Sequence, residues 1–235
     1  MFLYKDYNLL VMVAIFVLRF CLIAGIAYFI FYVWKRKEFI HLKLNQKQPD
    51  FIQLKTELLY SAITLLIYSI SFYLLIYWYQ KGYTQIYFKI GTFGYAYFFL
   101  SILMMVLIHD AYFYWSHKLM HQLPFLFRFH KIHHFSHNPN PWSAFSFHPV
   151  EAIISLGIMP IILFTLPVHP YALIVFSTVV VVYNVYIHLG YNIKFLFMGS
   201  ALRNTAQNHD LHHRVSKYNY GLYFSFWDRI MKTYK

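Results

Sequence analysis

Imidazole is the side chain through which this 235-residue chain could do chemistry, because it holds fourteen histidines and they are not scattered. Eight fall between residues 109 and 148: His109, His117, His121, His130, His133, His134, His137 and His148. Three more form His209-Asp210-Leu211-His212-His213, and His188 stands alone between these two groups. Only His41 and His169 lie apart. At about 100° per residue, His117 and His121 share one face of a helix, and Asp110 falls within about 20° of that stripe. His109 lies about 80° from His117 and fits the stripe less well. The spacing His-x-x-His-His occurs at 130–134 and again at 209–213, each time offering three imidazoles from about one turn of helix. Clustered imidazoles repel one another when protonated, whereas patches brought from distant segments can surround a metal. Residue type leaves zinc, copper, iron and nickel open.

The number of imidazoles narrows the kind of centre. One four-coordinate zinc would strand at least five of nine clustered histidines, so nine or ten nitrogen ligands suit two metals of higher coordination number. Ferritin-like sites need Glu and Glu-x-x-His ligands. The acids near the clusters are Asp110, Glu151, Asp210 and Asp228, which read better as partners that orient imidazoles. Asp228 reads equally as an ordinary helix or turn residue. Haem would use two histidines per group and set them inside membrane helices, and a metal transporter would carry acids or histidines within several spans. Cys21, the lone cysteine, excludes cysteine-ligated zinc, iron–sulfur clusters and an internal disulfide.

The elements that must position these side chains are apolar. Hydrophobic residues make up 60% of the chain and charged residues 12%, against roughly 45–50% and 25% in an average globular protein, which points to a membrane protein. Leu9–Trp34, Leu58–Tyr79 and Ile90–Ile108 are long enough to cross a bilayer. Ala152–Val168 and Tyr171–Ile187 are shorter, and Pro167-Val168-His169-Pro170 makes them a hairpin that either crosses fully or enters less deeply. The first run exceeds the hydrophobic stretch of a signal peptide and is expected to be a span. Lys and Arg concentrate in inner loops. Placing Lys35–Lys55 inside gives five spans with the N-terminus out, sixteen basic residues inside, three outside and one in the membrane. Twelve histidines then share the inner side, although they played no part in the assignment. The net charge of +12 is accounted for by this topology, so no nucleic-acid partner is expected. The exception within the spans is Arg19, whose mid-span position costs about 2.5–3.5 kcal/mol on insertion scales. It reads either as snorkelling beside a polar neighbour or as an ion-pair or substrate-headgroup contact.

The motifs also carry a resemblance. His109-Asp110-Ala111-Tyr112-Phe113-Tyr114-Trp115-Ser116-His117-Lys118-Leu119-Met120-His121 resembles the first histidine box of the fatty acid hydroxylase and sterol desaturase superfamily, and Phe129-His130-Lys131-Ile132-His133-His134 the second. Phe147-His148-Pro149-Val150-Glu151 resembles the segment that follows, His188 the isolated histidine, and Asn208-His209-Asp210-Leu211-His212-His213 the last box. Asn219-Tyr220-Gly221 and Phe226-Trp227-Asp228-Arg229 resemble the closing motif. The resemblance covers about residues 95–233. Lys118 stands where the family usually has Arg, and Met231-Lys232-Thr233-Tyr234 replaces Phe-Gly-Thr-Tyr, a departure that bears on the terminal turn and not on the metal site.

What the resemblance implies is an all-α, multi-pass membrane protein of four to five spans with a cytoplasmic, histidine-rich helical cap. Residues 1–94 would form an N-terminal transmembrane region and 95–235 the hydroxylase-like domain. The metal ligands would be His117, His121, His130, His133, His134, His188, His209, His212 and His213, with His109 and His148 as further possibilities and Asp110 supporting them from behind. The extra His137 is left out of this set. Two iron ions would be bound, with zinc able to occupy the same sites in purified protein, and dioxygen would be co-substrate. The activity implied is hydroxylation or desaturation of a lipid at the cytoplasmic face of a bacterial inner membrane or endoplasmic reticulum. Tyr114, Trp115, Trp142, Phe145 and Phe147 are candidates to line the lipid's access route, or else form an interfacial aromatic belt. With no dinucleotide-binding loop, haem attachment or cluster cysteines, electrons would come from a separate b-type cytochrome or ferredoxin with its reductase. The competing reading is a non-catalytic metal-binding membrane protein, either a sensor or a zinc-bound pseudoenzyme.

Overall fold

The computed structural model describes residues 8–193 and 202–235, so Lys5 and Lys194 of the charge count lie outside the described residues. Among these residues the structure is helical, with only isolated two-residue bridges in place of strands. Helix α1 (Leu9–Tyr28) starts where the Asn8 side chain accepts the Leu10 amide, and the six residues that follow it, Phe29–Trp34, continue as a π-helix. After a short helical turn, Asp50 caps α2 (Phe51–Gln80) by accepting the Gln53 amide. Gly94, at a positive φ of 79°, opens α3 (Gly94–Gln122). Together with α7 (Pro170–Ile187) these are, among the described residues, the four helices long and apolar enough to cross a membrane. Large apolar side chains such as Leu10, Leu18, Leu22 and Ile26 stand exposed on α1, as expected where hydrocarbon is the solvent.

The sequence leaves open how deep the stretch before Pro167 runs, and contacts at its two ends place it within the bundle. It forms two short helices, α5 (Pro149–Leu156) and α6 (Ile158–Thr165). Gly157 sits at the break, where any Cβ would run into the Tyr112 hydroxyl that donates to the Ile154 carbonyl. At one end Glu151 touches His130. At the other, the Gln85 amide donates to the Leu163 carbonyl, and Val168 exchanges backbone hydrogen bonds with Gln85 and Tyr87 in the loop after α2. The α5–α6 segment therefore runs beside α2 from the histidine end of the bundle to the opposite end. Trp78 and Phe164, with ring centroids 5.0 Å apart, mark the far end of that pairing. The basic loop 35–55 lies at the histidine end: Lys43 pairs with Tyr191, and the Asn45 side chain donates to that of Asn138.

Two apolar cores hold the crossings together. Phe20 and Ala24 of α1 pack on Leu65 of α2, Val181 and Val185 of α7, and the loop residues Ala144, Phe145 and Phe147. Met105 of α3 packs on Ile158, Ile162 and Leu163 of α6 and on Ala172 and Phe176 of α7. The loop between them is fastened by hydrogen bonds to α2: Asn140 donates to Glu57 at 2.7 Å, Ser61 to the Trp142 carbonyl and Thr64 to the Phe147 carbonyl. Three shorter helices form the cap. Pro124 turns the chain straight into α4 (Pro124–His134), Thr205 caps α8 (Ala206–Val215), and α9 (Phe226–Ile230) follows.

The terminal turn forms despite its departure from the family's Gly. Lys232 takes that position with a left-handed φ of 56°, while the Thr233 amide donates to the Asp228 carbonyl at 2.7 Å and the Thr233 hydroxyl to the Asp228 carboxylate at 2.8 Å. A side chain in that conformation costs about 1–2 kcal/mol, which glycine avoids at some expense in unfolded-chain entropy. Lys232→Gly is therefore expected to stabilise the purified protein by about 1 kcal/mol, read as a raised melting temperature; an unchanged or lower value contradicts this account.

Candidate metal centre

The structure gathers His117, His121, His130, His134 and His212 into one group, and His133, His188, His209 and His213 into a second. Within each, the available ligand atoms lie within 4.8 Å of one another. All nine rings are buried except His121, which is half-buried. These are the nine histidines expected to act together. His109 lies outside both groups, with its Nδ1 3.0 Å from the Tyr223 hydroxyl. So does His148, which caps α5 by accepting the Val150 amide. His137 and His41 are exposed, and His169 sits at the far end, 3.1 Å from the Phe88 carbonyl.

Each group draws on several elements. His117 and His121 come from the last turns of α3, and His188 follows the end of α7. The two His-x-x-His-His motifs, on α4 and α8, are both divided between the groups. In α4 the pair four residues apart, His130 and His134, joins the five-membered group while His133 faces the other. In α8 the assignment is reversed: His209 and His213 join the four-membered group and His212 crosses over. Residues four apart share a face and the third is turned away from it, so each helix reaches both groups. Gly190, at a φ of 75°, makes the turn after His188, where a Cβ would collide with the Tyr32 hydroxyl and the Pro139 carbonyl.

Backbone carbonyls and one carboxylate set the direction of the rings. His117 Nδ1 donates to the Tyr220 carbonyl at 2.8 Å, His188 Nδ1 to that of Asn184 at 2.8 Å, and His212 Nδ1 to that of Tyr218 at 2.7 Å. His130 Nδ1 lies 2.7 Å from Glu151 Oε1. A ring whose Nδ1 holds the proton keeps a lone pair on Nε2. Yet the Nε2 atoms of His117 and His130 face each other at 3.1 Å, and both have their protons on the other side. Two lone pairs so placed repel unless a cation lies between them. His212 Nε2 is likewise buried with no hydrogen-bond partner. In the second group the Nε2 atoms of His188 lie 2.9 Å from those of His209 and 3.2 Å from those of His133. Neighbouring ligands on one ion with bonds of about 2.1 Å are about this far apart. The donor set and its spacing thus fit one metal ion per group.

The acids serve differently from the sequence expectation. Of Asp110, Glu151, Asp210 and Asp228, Glu151 is the one whose carboxylate meets an imidazole among the described residues. Asp110 accepts the amides of Tyr223 and Phe224 at 2.8 and 3.1 Å, and Asp228 those of Tyr220 and Gly221 at 2.9 and 2.8 Å. Asp210 pairs with Arg214 at 2.6 Å. Asp110 and Asp228 therefore fasten residues 220–224, whose Tyr220 carbonyl orients His117. Spacing missed those carbonyls because any residue supplies one.

An apolar cavity of about 380 Å³ opens onto both groups, lined at that end by His117, His130, His133, His188 and His209. Phe145 and Phe147 line it, whereas the other three aromatics singled out in the sequence do not. Tyr114 is buried against Trp227 and Tyr220, Trp115 is largely exposed beside it, and Trp142 packs on Phe20 and Tyr28.

Residues 102–233 match a family model described as fatty acid hydroxylase. The chain belongs to this family. Fatty acid hydroxylase family relatives include lathosterol oxidase of Rattus norvegicus, 29% identical over 202 residues that cover 84% of this chain and 67% of the relative. The lathosterol oxidase of Homo sapiens is 29% identical, covering 80% of this chain and 64% of its own. A Delta(7)-sterol 5(6)-desaturase of Schizosaccharomyces pombe is 30% identical over 66% of this chain and 46% of its own. The matched segments thus span between about half and two thirds of these relatives' lengths. No solved structure matches.

Burial sets the protonation of the rings. It holds His134 and His188 down at about 4, from an ordinary 6.5. Burial, reinforced by neighbouring imidazoles, holds His130, His133, His209, His212 and His213 well below that range. Near neutral pH the rings are uncharged and able to ligate. Because the folded values lie below the unfolded one, the unfolded chain binds more protons in between. Metal-stripped protein is therefore expected to keep full stability above about pH 6.5 and to lose it progressively towards about pH 4. A flat melting temperature over that window would contradict the burial of neutral imidazoles.

Proposed function

We propose that this chain is a membrane-embedded, oxygen-dependent di-iron oxidoreductase that hydroxylates or desaturates a lipid. The observation that carries this reading is the convergence of nine buried imidazoles, in two metal-sized groups, on one end of an apolar cavity within the helical bundle. The oxidase and desaturase names of its relatives support an oxidative role and a lipid substrate, sterols among them. The basic loop 35–55 shares the histidine end of the bundle, which supports a cytoplasmic site. Residues 1–94 serve in this reading as a transmembrane region, and 95–235 as the domain that carries the chemistry.

The ligands are His117, His121, His130, His134 and His212 for one ion, and His133, His188, His209 and His213 for the other. Once bound and reduced, the two irons supply an oxidant from dioxygen strong enough to attack an unactivated C–H bond. The chain's own part is to hold and orient. Glu151 and the carbonyls of Tyr218, Tyr220 and Asn184 keep a proton on Nδ1 of their imidazoles, so that Nε2 stays free to ligate. Phe147 stands against His133, with ring centroids 5.1 Å apart, and with Phe145 keeps water from the reactive end. The substrate slides in from lipid along an apolar wall and needs no passage through water. Two electrons per turnover come from a separate b-type cytochrome or ferredoxin with its reductase, docking on the basic face.

Iron-loaded protein is expected to hold two iron atoms per chain by elemental analysis. With reductant and a panel of membrane lipids it should convert one class to a product that has gained one oxygen atom or lost two hydrogens. His133→Ala and His134→Ala strike different groups, so each should leave about one iron and lower turnover more than about 100-fold. Two irons without oxygen consumption on any lipid would favour a binding or sensing role, and full turnover in either variant would overturn the ligand assignment.

A further inference from the structure

The cavity is long, and its two ends differ in chemistry. Ser177, Val180, Val181, Asn184 and His188 recur at three- and four-residue intervals along α7, so one continuous side of that helix lines the cavity from end to end. At 1.5 Å per residue, the eleven residues from Ser177 to His188 separate those ends by about 16 Å. The wall between is mainly apolar, with Phe16, Leu75 and Trp78 among the lining residues away from the histidines. At that far end stands Arg19. Its Nη1 donates to Ser177 Oγ at 2.8 Å, and its guanidinium lies 5.2 Å from the centroid of the Phe16 ring.

Three features separate Arg19 from a side chain reaching towards the membrane surface. It bonds inward, to a residue of a neighbouring helix that lines the same cavity. Its Nε is buried without a hydrogen-bond partner. No carboxylate lies within ion-pair distance of it among the described residues. A guanidinium does not deprotonate in a protein, and it presents a planar set of donors that matches a carboxylate. An uncompensated cation facing an apolar, lipid-sized cavity is a receptor for an anion carried on an apolar body.

We propose that Arg19, supported by Ser177, is the subsite for the carboxylate terminus of a long-chain lipid whose tail extends to the histidine groups. The carboxylate oxygens accept from the guanidinium, and Ser177 holds the guanidinium in line. The length of the cavity then sets where oxidation falls, about a dozen carbons from the carboxylate for a span of about 16 Å. The position of oxidation rests on the oxidative reading given above, whereas the binding does not.

The test is equilibrium binding of hexadecanoate and of its methyl ester to the full chain in nanodiscs at pH 8, with and without prior removal of metal by chelator. Wild-type protein is expected to bind the acid about ten- to a hundredfold more tightly than the ester. Chelation should leave that preference unchanged, so it survives even if the chain oxidises nothing. Arg19→Gln should abolish the preference while ester binding persists, which also shows that the variant is folded. Arg19→Lys should keep part of the preference, and Ser177→Ala should reduce it by up to about tenfold. An Arg19→Gln protein that still prefers the acid, or a wild type with no preference, overturns the subsite. Product analysis with hexadecanoate gives an independent reading: oxidation near the carboxyl end would contradict the proposed orientation.

Discussion

The bundle is organised around a repulsion. The imidazole lone pairs of His117 and His130 are driven together at 3.1 Å in a buried site, and these two rings cannot turn away, because a carbonyl and a carboxylate grip their opposite nitrogens. Such an arrangement is unfavourable alone and becomes favourable around cations, so ions held there would be structural elements. Four separate pieces of chain supply the nitrogens: the end of α3, α4, the residue after α7, and α8. Because α4 and α8 each contribute to both groups, the two sites share one scaffold.

The membrane helices solve the complementary problem of keeping this polar end fixed above an apolar interior. Polar side chains of α2 hold the 138–147 loop from beneath, through Gln53, Glu57, Ser61 and Thr64. That loop in turn inserts Phe145 and Phe147 between the crossings, where they become wall for the cavity. Hydrogen bonding thus positions the loop, and packing fixes its aromatic rings.

Much of the site was legible in the sequence because imidazole is rare enough, and helix geometry regular enough, for spacing to carry information. His117 with His121 and the two His-x-x-His-His motifs fell where periodicity put them. The split of each motif between two groups was not legible, because it depends on how α4 and α8 are rotated relative to α3. Backbone acceptors were invisible for a different reason: the carbonyls of Tyr218 and Tyr220 would exist whatever residues stood there. The runs of 26, 22 and 19 apolar residues announced their spans, but the stretch before Pro167 was too short to judge. Its depth is read from hydrogen bonds with residues 85–87, far away in sequence. Arg19 declared its cost in the sequence and withheld its partner, since nothing local marks Ser177 as a neighbour.

Asp110 and Asp228 grip the 220–224 segment from two directions, one from a membrane helix and one from the final short helix. That segment carries the carbonyl that sets the direction of His117. The aspartates therefore act as a hinge pin between the lipid-facing scaffold and the tail of the chain, and they transmit error as well as order. A genetic screen that scores only lost activity would place both among the catalytic residues, although neither touches an imidazole.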